Sequence, residues 1–140
     1  MPYTCFDHTG DIGIDVDAGD PGELFAEAAR ALTDIMTEHG AVVVAGTRQV
    51  TLAAATLDLL LVDWLSEILY IFDTKRWFVA RAEVVLTRGD DGYALDATLG
   101  GEPFDPARHP VKLTLKAVTY HALELAERDG AWRARVVFDV

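Results

Sequence analysis

The sequence predicts an α+β fold in which mainly antiparallel sheets pack against two principal helices, and three observations carry that expectation. Residues Asp11 to Ala18 alternate apolar and polar side chains with the period of a strand. Two longer runs, opening after Asp20 and Thr56, carry helix-start signals followed by apolar stripes. The last third ends in two β-like runs joined by Arg128-Asp129-Gly130-Ala131, and Asp-Gly is a strong two-residue hairpin signal, so a β-hairpin carries the fold to the chain terminus.

Taken in order, the first strand sets Ile12, Ile14, Val16 and Ala18 on one face and Asp11, Gly13, Asp15 and Asp17 on the other, directly after the polar cluster Asp7-His8-Thr9-Gly10. Asp20 reads as an N-cap, with Pro21 in the first helical position and Glu23 as capping-box partner. That helix is expected to reach about Glu38 on a stripe of Leu24, Phe25, Ala28, Leu32, Ile35 and Met36, with Gly40 as its stop. Ala41 to Ala45 and Gln49 to Ala54 read as short strands around a Gly46-Thr47 turn. Thr56 then caps a second helix to about Phe72, apolar around most of its circumference and therefore expected to be covered on several sides. Its single polar seam is Asp63, Ser66, Glu67 and Tyr70; as part of a mostly buried helix, this reads first as a satisfied structural network.

Trp77 to Thr87 and Gly92 to Leu99 read as a hairpin through Gly89-Asp90-Asp91-Gly92, and the stretch from Gly100 to Pro110 as an irregular loop rich in glycine and proline. The final hairpin pairs Val111 to about Leu125 with Trp132 to Val140. If the Asp-Gly turn sets one register throughout, Glu124 opposes Arg135, Tyr120 opposes Asp139, and His121 opposes Phe138 on the apolar face. His121 then reads as a core histidine and Lys116, on the opposite face, as solvated. Arg108 and His109 read as a solvated basic pair, able at most to meet an anion.

A chain of 140 residues with 51% hydrophobic content is the size of one domain, spanning 1–140. The single cysteine, Cys5, offers no internal disulfide and fits a reducing cytoplasm. The first residues have no signal-peptide pattern and no window reaches the ~18 uninterrupted apolar residues of a spanning helix, so a cytoplasmic chain with no membrane partner is expected. Asp and Glu number 23 against 12 Lys and Arg, a net charge of −11 that disfavours direct binding to a polyphosphate backbone. A basic protein surface or a hard cation is the better electrostatic partner.

Phosphate-binding glycine motifs, Cys/His zinc patterns and a Gly-x-Ser-x-Gly elbow are absent, which removes the most direct enzyme assignments. Two acidic clusters remain. Asp7-His8-Thr9-Gly10-Asp11 crowds two carboxylates and an imidazole at the entry to a strand, and hard cations such as Ca²⁺ or Mg²⁺ accept one or two carboxylates with carbonyls and waters. Taken alone, the cluster more often organises a turn through Asp7 or Thr9. Phe138-Asp139-Val140 sets a side-chain carboxylate beside the α-carboxylate where the chain ends at Val140, and two fixed anions invite a cation. Alone, that segment reads as an ordinary solvated end.

Together these pieces resemble the archease family over essentially the whole chain. The resemblance rests on Asp7-His8-Thr9-Gly10-Asp11-Ile12-Gly13-Ile14, on Glu23-Leu24-Phe25 with Ala28-Ala29, and on the run from Leu60 to Tyr70. It continues through Gly101-Glu102, Arg108-His109, Lys116-Ala117-Val118-Thr119-Tyr120-His121 and Asp139-Val140. The departures are Gly10 and Ser66, where the family pattern has alanine and asparagine; neither position supplies a carboxylate. The resemblance implies an accessory protein, not an independent enzyme, that promotes guanylylation and multiple turnover of a GTP-dependent RNA-splicing ligase active in tRNA processing and RNA repair. It also implies a divalent-cation site at Asp11, Asp139 and Val140. Ca²⁺ is the ion expected there, with Mg²⁺ or Mn²⁺ as alternatives. Asp7, His8, Glu67, Lys116 and His121 are the further residues expected beside that site or against a partner. The competing readings are a small metal-dependent phosphoester hydrolase using the same carboxylates, and a general chaperone or adaptor for RNA-modifying proteins.

Overall fold

The computed structural model describes residues 2–8 and 10–140, with His8 described by its backbone alone. Thr9 and the His8 side chain, both part of the N-terminal cluster, lie outside the described residues. Two antiparallel sheets are present. The first contains β1 (Tyr3–His8), β2 (Asp11–Ala18), β6 (Ala117–Val118), β7 (Glu124–Arg128) and β8 (Ala131–Asp139). Its order is β1-β2-β8, with β6 and β7 both pairing with β8. The second has the order β3-β5-β4, from β3 (Gly46–Ala54), β5 (Gly92–Pro103) and β4 (Trp77–Gly89). Helices α1 (Pro21–Met36) and α2 (Leu57–Lys75) pack against both sheets.

The local signals explain most of these elements. Asp20 accepts the Glu23 N–H at 2.9 Å with Pro21 in the first turn, as the N-cap reading requires. The helix stops at Met36, earlier than the expected Glu38, and His39–Ala41 form a separate 3₁₀ turn. At α2 the Thr56 hydroxyl makes no capping bond; it donates to Asp58, whose carboxylate also accepts the Leu59 N–H. The helix runs past Phe72 to Lys75 because Arg76 closes it in the left-handed conformation, φ 49°. The seam on α2 is not a buried network. Asp63 and Tyr70 are exposed and Ser66 and Glu67 half-buried, so these residues form the helix's wet stripe.

One core runs beneath both sheets, built from Ile14 and Val16 of β2, Leu24, Phe25 and Leu32 of α1, Leu60, Leu61, Trp64 and Leu65 of α2, Leu95 and Leu99 of β5, and Val136 and Phe138 of β8. The Trp64 indole Nε1 donates to the Phe25 carbonyl at 2.8 Å, so the largest core side chain also ties the two helices together.

Three segments depart from the expected strands. Ala41 to Ala45 are not a strand, despite three consecutive valines. The chain there crosses to β5, where the Val43 N–H bonds to the Glu102 carboxylate and the Ala45 N–H to the Gly101 carbonyl. Gly100 to Pro103, expected in a loop, complete β5. Gly101 is required there for close approach, since a Cβ at this position would lie 1.9 Å from the Phe78 carbonyl oxygen. The facing strand bulges between Val79 and Arg81, and α1 holds the bulge through Thr33 Oγ1, which donates to the Val79 carbonyl at 2.7 Å. Gly101→Ala is expected to lose about 3 kcal/mol of folding stability, because neither strand can move aside. Urea unfolding measures it, and an unchanged midpoint would show that the bulge absorbs the methyl.

The third departure is in the C-terminal hairpin. The turn has Asp129 at φ 55° and Gly130 at φ 78°, the double left-handed geometry that an Asp-Gly hairpin calls for. Glu124 pairs with Arg135 as expected. Beyond Glu124 the register slips by three residues: Asp139 pairs with Ala117 and Phe138 with Val118, not with Tyr120 and His121. The excursion is a turn in which the Thr119 N–H and hydroxyl both donate to the Val137 carbonyl, the His121 N–H donates to Thr119 Oγ1, and Ala122 is left-handed at φ 54°. His121 and Tyr120 are consequently exposed, and the expected core histidine is a surface residue.

Candidate functional site

Sheet pairing sets the start of β2 alongside the end of β8. β2 and β8 are antiparallel neighbours whose paired register ends at Ile12 opposite Phe138, and Asp11 and Asp139 are the next residues along the two strands. On their other sides Asp11 pairs with the His8 backbone and Asp139 with Ala117. Ile12 is half-buried and Phe138 fully buried, which anchors the register at this end. The Lys116 N–H donates to the Asp139 carbonyl at 2.8 Å, so the last strand is held up to Asp139 on its β6 side and up to Phe138 on its β2 side. Asp139 is exposed, Asp11 half-buried and Val140 37% exposed.

Among the described residues, no three His, Cys, Asp or Glu side chains converge to hold a metal by themselves. A cation at the ends of these two strands would take two side-chain carboxylates, the Val140 α-carboxylate where the chain ends there, and carbonyls or water for the remainder. That donor set fits a hard, oxygen-seeking divalent ion and not a thiolate or imidazole metal. Of the other residues named with the site, Asp7 is exposed on β1 opposite Ile12, and Lys116 and His121 are exposed on the segment leading into and out of β6. Glu67 is half-buried on α2, a different layer of the fold.

A second polar cluster was read wrongly from the sequence. His109 is 1% exposed and Glu102 3% exposed. Arg108 grips the Glu102 carboxylate with both terminal nitrogens, one at 3.0 Å, and is itself half-exposed. The Val43 N–H and His109 Nε2 reach Glu102 Oε2 at 2.8 and 3.0 Å. Because the Asp105 N–H donates to His109 Nδ1 at 2.9 Å, the ring proton is on Nε2 and faces the carboxylate. The imidazole also stacks beside Phe104 and meets the edge of Phe78. The Arg108 hydrogen bonds, backed by Val43 and His109, lower the Glu102 pKa from 4.5 to about 2. The Ala107 N–H and Arg108 hold Asp105 below its ordinary value. The pair expected to be solvated is therefore half of a buried knot that fastens the Phe104–Pro110 loop to β5. No periodicity marks it; the one available signal was that Glu102, Arg108 and His109 all belong to the motifs of the resemblance.

On the outer face of the first sheet, Arg135 binds the Asp15 carboxylate through two nitrogens at 2.7 and 2.9 Å, and its guanidinium lies 4.6 Å from the Phe6 ring centroid. Asp15 raises the Arg135 pKa, with Glu124 contributing at longer range. The expected Glu124–Arg135 neighbours are thus aligned, but the direct partner of Arg135 is Asp15.

The described helices include none long and apolar enough to cross a membrane. A profile of the Archease protein family (MTH1598/TM1083) matches residues 3–140. The archease of Methanosarcina acetivorans is 36% identical over 99% of this chain and 95% of its own length, and that of Methanopyrus kandleri 35% identical over the full length of both. The solution structure of Methanobacterium thermoautotrophicum protein 1598 is similar with a TM-score of 0.85, at 34% identity over 99% of each chain. The crystal structure of a Thermotoga maritima archease, described as a possible chaperone, shares the fold with a TM-score of 0.65 at 20% identity, over 96% of this chain and 94% of that one. Matched across nearly its whole length by the family profile and by curated archeases above 30% identity, the chain belongs to the archease family.

Proposed function

We propose that this protein is a non-enzymatic accessory factor of a GTP-dependent RNA-splicing ligase, promoting guanylylation of the ligase and so sustaining its turnover in the cytoplasm. The observation that supports the reading is the β2–β8 pairing, whose register ends one residue short of Asp11 and Asp139, two acids from opposite ends of the sequence. Family membership supports it, and a net charge of −11 suits docking on a basic protein surface better than direct contact with RNA. Asp11, Asp139 and, where the chain ends there, the Val140 α-carboxylate would hold a divalent cation, Ca²⁺, Mg²⁺ or Mn²⁺. Bound there, such an ion supplies positive charge for phosphate oxygens of the partner's nucleotide. The chain's own residues fix the position: Phe138 and Ile12 pin the register, and the Lys116 N–H holds the end of β8.

The deciding experiment compares single- and multiple-turnover RNA ligation by the cognate ligase, with GTP and divalent metal, with and without substoichiometric amounts of this protein. Stimulation restricted to multiple turnover is expected. No stimulation of a demonstrably active ligase would remove the proposal and bring forward a general chaperone role, in line with the description of the Thermotoga maritima structure.

A further inference from the structure

Helix α2 turns most of its circumference inward, with Leu61, Trp64, Leu65 and Ile68 among its buried residues. Its outward side is one straight stripe. Leu59, Asp63, Ser66, Tyr70 and Asp73 recur at alternating steps of four and three, with Glu67 beside them. From Leu59 to Asp73 the stripe runs about 21 Å along the helix. It is not simply polar, because Leu59 is 40% and Tyr70 61% exposed. A tyrosine and a leucine held out among acids make a mixed face of the kind that binding surfaces use, the aromatic ring giving a large contact area at low cost in entropy.

Charge sets this face apart from the rest of the molecule. On the first sheet and α1, carboxylates are neutralised from within the chain: Asp15 by Arg135, Asp17 by Arg133, Glu27 by Arg30, and Asp34 and Glu38 by Lys112. On α2 no lysine or arginine occurs from Asp58 to Thr74. Among the described residues, the side chains of Asp63, Glu67 and Asp73 have no ion pair and no hydrogen bond. Asp63 and Glu67 stand four apart, a spacing at which like charges repel, and no group of the chain offsets that repulsion. α2 also packs against β6, which pairs with β8 at Asp139, so the stripe and the candidate cation site lie on adjoining elements.

We infer that the outward stripe of α2 is the docking face for a partner protein, and that the segment it receives carries arginine or lysine. The identity of that partner, the ligase, rests on the proposed function; the face and its chemistry rest on α2 itself. Charge selects the occupant. RNA is repelled by three unpaired carboxylates. A second copy of this chain brings the same acids and no cation to the stripe. A bare metal ion finds no three converging acidic, histidine or cysteine side chains among the described residues. A basic segment meets the whole face: an arginine laid on the Tyr70 ring has Glu67 one turn before it and Asp73 one turn after, and Asp63 and Leu59 continue the contact.

Binding of the full chain to the cognate ligase, measured by calorimetry, is expected to weaken about 100-fold in an Asp63→Lys, Asp73→Lys variant. Glu83→Lys with Glu127→Lys makes the same change in net charge at exposed positions of the two sheets, and is expected to shift the dissociation constant by less than about threefold. Tyr70→Ala, which alters no charge, is expected to raise it about tenfold. Circular dichroism confirms that each variant is folded. Equal binding by the parent and the α2 lysine variant overturns the inference and leaves the proposed function in place, and so does an equal loss in the Glu83 and Glu127 control, which would mean that bulk charge governs docking. A parent that binds no ligase removes the proposed function, and a titration with a hexa-arginine peptide, followed by amide chemical shifts, then decides the inference. Shifts centred on residues 59–74 sustain a face for basic segments; shifts spread over the acidic surface, or absent, overturn it.

Discussion

Glu102→Gln is expected to lose about 3 kcal/mol of folding stability, near the lower end for breaking a buried charge pair because Arg108 is half-exposed. The carboxylate faces donors only: the Arg108 guanidinium, the Val43 N–H and His109 Nε2. An amide in its place must turn an NH₂ toward at least one of them and leaves a half-exposed guanidinium without its anion. The penalty depends on pH in a defined sense. Glu102 has its pKa lowered from 4.5 to about 2 on folding, so its stabilisation is complete above about 4.5 and is lost as pH falls from there through about 2. The stability difference between the parent and Glu102→Gln, from urea unfolding at a series of pH values, should therefore narrow on acidification. A difference that stays constant down to the folded pKa would show that the loss comes from packing and not from ionisation.

Asp11→Asn and Asp139→Asn are each expected to weaken divalent-cation binding about 100-fold, and the double variant to bind none measurably. Each substitution keeps the side chain's shape while removing one of the charges proposed to hold the ion. Calorimetric titration with Ca²⁺ or Mn²⁺ measures this directly, and the melting temperature gives a second readout. Ligand binding to the native state stabilises by about 2.7 kcal/mol at 100 times the dissociation constant, and that increment should vanish in the double variant. Variants that retain parental affinity would place the cation elsewhere, whatever the outcome of ligation assays.

Much of this fold could be read because its signals are local. The Asp20 cap, the Asp129-Gly130 turn and the alternation from Asp11 to Ala18 each depend on a few consecutive residues, and each forms as expected. The neighbouring positions of β2 and β8 follow from alternation as well: it marked which residues begin and end each strand, and the two strands pair from Ile12 opposite Phe138 to Ala18 opposite Trp132. What could not be read depended on distant partners. The excursion at Thr119–Leu123, which shifts the register by three, contains no glycine, proline or asparagine to announce a turn; it is held by a bond from Thr119 to Val137. Val42, Val43 and Val44 have strand propensity, but the Val43 N–H is claimed by a carboxylate 59 positions later. His109 lies in a proline-flanked loop where exposure is the reasonable expectation, and only the tertiary position of Glu102 buries it.

The contact between Asp15 and Arg135 spans 120 positions and belongs to the pairing of the second strand with the eighth. During biosynthesis β3, β4, β5 and both helices emerge with all their mutual partners, and can begin to assemble while the chain is still growing. β1 and β2 cannot complete their sheet at that stage. Until β8 leaves the ribosome, β2 has one bare edge, and Ile14 and Val16 lack the Val136 and Ala134 that complete their layer. A nascent chain that stalls, or is cut short before Ala131, keeps that apolar edge open. Completion of the first sheet is thus a late event in synthesis, and a chain cut short before Ala131 leaves the β2 edge and the apolar layer of Ile14 and Val16 uncovered.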